Sequence, residues 1–377
     1  MTKYKFDEIA INSTQKKKPT EDDKVYYIGL EHIDPGCFDV VRWGSDVAPT
    51  GDKLLMQKGD VLFGKRRAYQ RKVAIAPFDG IFSAHGMVLR PNLKVIDANY
   101  FPFFISSDKF METAVRISVG GLSPTINWKD LARQEFELPS LDEQKVLSDK
   151  LWAAYRLKEA YKKLLVATDE MVKSQFIEMF GNPLSSRQKN ELKRLGQCCI
   201  INPRRPNIAL CDTDKVSFIP MLAVSEDGYL VDMADEEYGK VKKGFTYFEN
   251  NDVLFAKITP CMENGKGAIA YGLTNGIGVG STEFHVLRPI NGISSPYWLL
   301  TLTRMPIFRE RAAKNMSGTG GQKRVSASYL NHFMVGLPAI EEQRRFEAIY
   351  RQADKSKFEL RKSIDAIDKV IKSLINN

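Results

Sequence analysis

From Phe346 to Leu374 the chain repeats apolar positions at alternating spacings of four and three: Phe346, Tyr350, Ala353, Lys357, Leu360, Ile364, Ile367, Ile371 and Leu374. The same spacing runs through Leu147, Leu151, Ala154, Lys158, Tyr161, Leu165, Thr168, Val172 and Gln175. A period near 3.5 held over several heptads predicts a coiled-coil seam rather than a general amphipathic surface. The first long helix is predicted over Leu141–Phe180 and is ended by Gly181-Asn182-Pro183, a C-cap glycine with a nearby proline. An alanine and a lysine interrupt both seams at equal positions. The alanines allow close approach. The lysine stems are expected along the seam with their charge outside.

Between the helical stretches the pattern changes to short apolar runs bounded by Gly, Pro and Asp, which predicts strands. Examples are Val25-Tyr26-Tyr27-Ile28-Gly29-Leu30, Asp60-Val61-Leu62-Phe63, Val73-Ala74-Ile75-Ala76 and Met87-Val88-Leu89-Arg90. Residues 100–107 and 109–117 have a more helical pattern.

The chain repeats itself at domain scale. Leu138-Pro139-Ser140-Leu141-Asp142-Glu143-Gln144 returns as Leu337-Pro338-Ala339-Ile340-Glu341-Glu342-Gln343, an offset of 343 − 144 = 199. Asp60-Val61-Leu62-Phe63-Gly64-Lys65 returns as Asp252-Val253-Leu254-Phe255-Ala256-Lys257, an offset of 252 − 60 = 192. Such a unit is too long for a solenoid and predicts two similar domains, each followed by a long helix. The expected organisation is a globular segment over residues 1–137, a helix over 138–182, a second globular segment over 183–336 and a second helix over 337–377. The fold class is α+β, with two similar strand-rich domains separated by two long helices that pair as an antiparallel coiled coil. A short linker after the first helix favours antiparallel pairing; parallel pairing is the alternative. The second copy stops at Asn377, a few residues short of the equivalent of Phe180, so a terminal helix contact is expected to be missing.

Composition narrows the function. The net charge of +9 favours a polyanionic partner. The five cysteines, Cys37, Cys198, Cys199, Cys211 and Cys261, form no Cys-x-x-Cys pair. Neither a disulfide framework nor a zinc site is signalled. No run of 18 or more apolar residues is present, and the N-terminal residues lack a signal-peptide pattern, so a cytoplasmic location is expected. Walker, HExxH and GxSxG motifs are absent. Asn202-Pro203-Arg204-Arg205-Pro206 places arginine where an adenine-methyltransferase motif needs an aromatic residue. Gly276-Ile277-Gly278-Val279-Gly280 is read as a loop. The acidic run Asp232, Asp235, Glu236 and Glu237 is read as a solvated loop.

The strongest candidate for binding is Lys65-Arg66-Arg67-Ala68-Tyr69-Gln70-Arg71-Lys72, which follows a predicted strand and contains no acid. Lysine and arginine neutralise phosphates, and arginine and glutamine can read base edges. The equivalent stretch in the second copy runs from Lys257 to Lys266 and includes Thr259 and Asn264. Its flanking strands are the same and its chemistry differs. Arg204, Arg205, Lys323 and Arg324, with Lys16-Lys17-Lys18, are further candidate phosphate contacts.

Taken together these motifs resemble the specificity (S) subunit of type I restriction–modification enzymes, over essentially the whole chain. The resemblance rests on the two Leu-Pro-x-x-(Asp/Glu)-Glu-Gln segments with their heptad helices. It rests also on Ser174-Gln175-Phe176-Ile177-Glu178-Met179-Phe180-Gly181-Asn182-Pro183, and on the strand Ser281-Thr282-Glu283-Phe284-His285-Val286-Leu287-Arg288-Pro289. The first copy departs here, with Ser83-Ala84-His85-Gly86-Met87. The resemblance implies two target recognition domains, each reading half of a bipartite double-stranded DNA site. The helices would set the spacing, ~50–60 Å at ~1.5 Å per residue, about one and a half turns of B-DNA. It implies a non-catalytic chain. Two methyltransferase (M) subunits would supply adenine N6 methylation with S-adenosylmethionine, and restriction (R) subunits would use ATP and Mg. The alternatives are a nuclease in its own right, with metal bound by the acidic run, and a coiled-coil-linked protein-binding module.

Overall fold

The computed structural model describes residues 1–181, 190–319 and 321–376. Asn182, Pro183 and Asn377, named above, lie outside them. The chain divides into two compact units: residues 1–163 with 361–377, and residues 164–360. Each unit therefore holds one globular domain, part of the long helix Leu141–Phe180 and part of the long helix Ile340–Asn376. Among the described residues no helix is long and apolar enough to cross a membrane.

In the first unit, one four-stranded antiparallel sheet has the order Ala10–Ser13, Met87–Pro91, Val61–Phe63, Val73–Ile75. The second unit builds the same order from Cys199–Ile201, Phe284–Pro289, Val253–Ala256 and Gly267–Ile269. The Asp-Val-Leu-Phe strand is central in both, and its period of two feeds two cores. Val61 and Phe63 join a cluster with Phe6, Phe110 and Phe136, whereas Leu62 joins Ile28 and Phe82. Val253 and Phe255 divide from Leu254 in the same way. The motif aspartate caps the turn before the strand, accepting from Gln57 N at 2.8 Å (Asp60) and from Glu249 N at 2.7 Å (Asp252). It also receives the arginine of the Leu-Arg-Pro strand. Arg90 binds Asp60 at 2.7 and 3.0 Å, and Arg288 binds Asp252 at 2.8 Å on each oxygen.

The second sheet shares three strands and differs at its edge. Lys53–Met56, Gly80–Phe82 and Tyr27–Ile28 lie in that order, with Lys16–Lys17 added beside the first. Thr246–Glu249, Ile277–Gly280 and Lys215–Ile219 repeat the order, but Ala234–Glu237 is added beside the last. Two expectations change. The glycine-rich run is a strand, Ile277–Gly280, paired parallel to one neighbour and antiparallel to the other. Its glycines make room: a Cβ on Gly278 would lie 2.0 Å from the Phe248 ring, and one on Gly280 would lie 2.2 Å from the Ile219 carbonyl. The acidic residues Asp235, Glu236 and Glu237 are on an edge strand, not in a loop.

The Leu-Pro-x-x-(Asp/Glu)-Glu-Gln motif attaches each domain to its helix. Ser140 and Glu143 form a capping box, with Glu143 accepting from Ser140 N at 2.9 Å and Oγ at 2.8 Å. Gln144, fully buried, accepts from Asp97 N at 2.8 Å and donates to Val95 O at 3.1 Å and Pro139 O at 2.9 Å. Gln343 repeats this with Ser295 N at 2.8 Å, Ile293 O at 2.9 Å and Pro338 O at 2.9 Å. At its far end the first helix stops at Gly181, whose φ of 70° and N–H to Ile177 O at 2.8 Å close the last turn.

Within each unit the two helices run antiparallel. In the first, Lys158 meets Asp368, while Ile371 and Leu374 pack on the cluster that contains Leu151. In the second, Lys357 meets Asp169, while Phe346 packs on Phe176 at 5.2 Å and Phe180 at 5.6 Å. The predicted seam residues Leu147, Leu151, Ala154, Tyr161, Leu165, Val172, Phe346, Tyr350, Ala353, Leu360, Ile364, Ile367, Ile371 and Leu374 are all buried or half-buried. Tyr155, Phe176 and Phe180 are buried beside them. The seam lysines differ from expectation: their ammonium groups are buried and paired rather than outside, because a carboxylate on the other helix meets each one.

Candidate nucleic-acid interface

In each unit two segments are joined after the central strand. In the first, Arg66 bridges Thr125, Arg67 N donates to Pro124 O at 2.7 Å and Ile126 N donates to Lys65 O at 3.1 Å. In the second, Ile258 bridges Arg324, Thr259 N donates to Lys323 O at 3.0 Å and Val325 N donates to Lys257 O at 3.0 Å. The loop after the Asp-Val-Leu-Phe strand is thus bound to the Gly/Ser segment that leads into the long helix. Sequence reasoning singled out the run at 65–72, the stretch at 257–266, Lys323 and Arg324, and did not pair the loop with the segment before the helix.

The run at residues 65–72 divides by role. Arg67 and Arg71 take left-handed backbone at φ 57° and 53°, flanking a single turn of 3₁₀ helix, Ala68–Gln70, so the run folds back on itself. Arg66 donates to Ser123 Oγ at 3.2 Å and lies 3.3 Å from His85 Nε2. Arg67 is exposed and donates to the same Ser123 Oγ at 3.1 Å. Tyr69 is 55% exposed, and Gln70 is half-buried. Arg71 and Lys72 are tied into the domain: Arg71 pairs with Asp108 at 2.8 Å, and Lys72 donates to Leu30 O at 2.6 Å. Burial, then the charge of Lys16, holds the Lys65 ammonium below the usual lysine range. The His85 imidazole is also held low, by burial and then by Arg66, Lys65 and Lys53. Arg66, Lys65 and Lys53 thus lie close enough to add to the effect of burial on His85. Lys53 and Ser123 were not singled out from sequence, and nothing local in the sequence points to either.

The second unit has a different character at the same place. Glu283 stands where His85 does, in the turn before the Leu-Arg-Pro strand, two residues after a matched serine (Ser281, Ser83). It binds Arg324 in a bidentate pair at 2.8 and 2.9 Å, and that guanidinium holds its carboxyl below the usual range. Thr259 joins the two segments, donating to Gly321 O at 2.6 Å and accepting from Lys323 N at 3.1 Å. Asn264 donates to Glu226 at 2.9 Å. Lys257 and Lys266 are half-buried, and Lys323 is exposed. Arg204 is exposed, while Arg205 donates to Lys242 O and lies 5.3 Å from the Tyr238 ring. Of the acidic candidates, Asp235 accepts from Thr274 at 2.8 Å and Glu237 pairs with Lys240 at 3.0 Å. Among the described residues no group of three or more His, Cys, Asp or Glu side chains is gathered to hold a metal ion.

The family model for the type I restriction modification DNA specificity domain matches residues 3–165 and again 188–367. The chain belongs to that family. Its curated relatives include two Escherichia coli proteins, the type I restriction enzyme EcoAI and EcoEI specificity subunits. Identity is 38% over 170 residues for the first and 35% over 188 for the second. These alignments cover 44% and 48% of this chain but only 29% and 31% of the relatives. The specificity-domain fold is also seen across solved structures. One chain from work on assembly and conformational transition of the type I R-M system has a TM-score of 0.56 at 18% identity. The match covers 99% of this chain and 96% of that one. The type I restriction-modification S subunit from M. genitalium has a TM-score of 0.54 at 14% identity, covering 99% and 94%.

Proposed function

We propose that this chain is the DNA sequence-specificity subunit of a type I restriction–modification complex. Each specificity domain binds one half of a bipartite double-stranded DNA site. The paired helices set the spacer between the halves and dock two methyltransferase subunits. The observation that carries this reading is the shared frame with unlike chemistry: the same two joined segments lie beside His85 among cations in one domain and beside Glu283, paired with Arg324, in the other. Two readers of different half-sites need the same scaffold and different polar groups at the contact face. The chain itself acts without catalysis. S-adenosylmethionine belongs to the methyltransferase subunits, and ATP with Mg to restriction subunits.

The test is replacement of residues 1–137 by another recognition domain in cells carrying the cognate methyltransferase subunits. Methyladenine sequencing should show one half of the methylated motif changed and the other kept. An unchanged motif would overturn the assignment.

A further inference from the structure

Each long helix carries one buried lysine on its seam and one aspartate 11 residues further on: Lys158 and Asp169, Lys357 and Asp368. In the first unit Lys158 Nζ lies 2.9 Å from Asp368 and 3.3 Å from Gly36 O, with its side chain 8% exposed. In the second Lys357 Nζ lies 2.9 Å from Asp169, with its side chain 3% exposed. The two pairs are equivalent under the 199-residue repeat (357 − 158 = 199; 368 − 169 = 199).

We propose that these four residues determine the orientation and register of the helix pair. Through the function proposed above, on which this step rests, they would also determine the DNA spacer that the protein accepts. The apolar seam alone is permissive, since a heptad pattern places apolar residues together again after a shift of seven residues. The charged pairs do not allow this. Repeat-aligned parallel pairing would set Lys158 against Lys357 and Asp169 against Asp368. An antiparallel shift of one heptad in one direction would set the lysines against Arg361 and Lys162. A shift in the other direction would set them against Ile375 and Phe176, leaving both ammonium groups buried without a carboxylate on the other helix. Of these arrangements, only the observed register gives each lysine a carboxylate on the other helix; Asp354, on the same helix as Lys357, lies further off at 3.9 Å. Buried ion pairs are often no more stabilising than apolar replacements, and register choice is their best-attested use.

The test compares three full-length variants co-expressed with the methyltransferase subunits. Lys158→Asp should lose thermal stability and methylation. Lys158→Asp with Asp368→Lys should restore both, with the native spacer. Replacing all four residues (Lys158→Met, Asp368→Leu, Lys357→Met, Asp169→Leu) should keep the fold and the half-sites while methylating sites of more than one spacer length. A second readout does not need DNA. Spin labels on Leu157→Cys and Val370→Cys, with Cys37, Cys211 and Cys261 changed to serine, should give one narrow distance with the native pairs. In the fourfold variant a second population should appear, a heptad shift being about 10 Å along the helix. A single spacer and a single distance in that variant would overturn the proposal. If the unmodified complex methylates nothing, the functional reading fails, while the label distances still decide the register.

Discussion

Arg288 closes a bidentate pair on Asp252 at 2.8 Å to each carboxylate oxygen, and Asp252 is 1% exposed. The pair ties the central strand of the second domain to its neighbour, and Glu249 adds a contact to Arg288 at 3.1 Å. Asp252→Ala removes the carboxylate and also the acceptor for Glu249 N, so it should destabilise by about 3 kcal/mol. Asp252→Asn keeps an acceptor and should fall between that variant and the native protein. Denaturant unfolding measures both.

The basic run at residues 65–72 should separate by salt dependence. Arg67→Ala removes an exposed cation, so it should weaken DNA binding by the assembled complex about tenfold and reduce the salt slope by about one. Lys72 is already held by Leu30 O. Lys72→Ala should leave the slope unchanged and lower stability by about 1–2 kcal/mol. Binding titrations at several salt concentrations decide this, and equal slopes for the two variants would contradict the division of roles.

His285 gives the second domain an acid sensitivity. Burial holds its imidazole below the ordinary histidine value of 6.5, and its Nε2 lies 2.8 Å from Val325 O. A depressed histidine pKa contributes stability that is present above 6.5 and is lost as pH falls towards the folded value. The unfolding midpoint should therefore drop between pH 7 and pH 5, and His285→Gln should flatten that drop by the share of one proton. An identical slope in the variant would show that other groups control it.

Gly280→Ala should destabilise by about 3 kcal/mol, because the new methyl group meets the Ile219 carbonyl and neither strand can move freely. Gly121→Ala, with nothing within 4 Å of the added carbon and no positive φ, should change stability by less than about 0.5 kcal/mol. Thermal unfolding of the pair separates crowding from a general effect of adding a side chain.

The long helices, their seam and the central strand were legible in the sequence because each repeats a regular period over enough residues to stand out. The strand Ile277–Gly280 was not, since glycine carries no apolar signal and its reason lies in the Phe248 ring and the Ile219 carbonyl. The two-residue strand Lys16–Lys17 is too short to show alternation. The burial of Lys158 was hidden because its carboxylate partner, Asp368, lies 210 residues away. At the candidate interface the cations were visible, but which of them are occupied within the protein depends on Asp108, Leu30 and Glu283, all distant in sequence.

Gln144 and Gln343 hold their domains through main-chain atoms alone: one N–H and one carbonyl of each domain, and the carbonyl of the motif proline. Such an attachment is blind to the side chains on the domain. Side chains there can drift without loosening the glutamine, as long as the backbone path past it is kept, while Leu151 and Tyr155 hold the domain core by packing. Under the function proposed above, the same socket would accept a different recognition domain at the helix start without any redesign of the glutamine contacts.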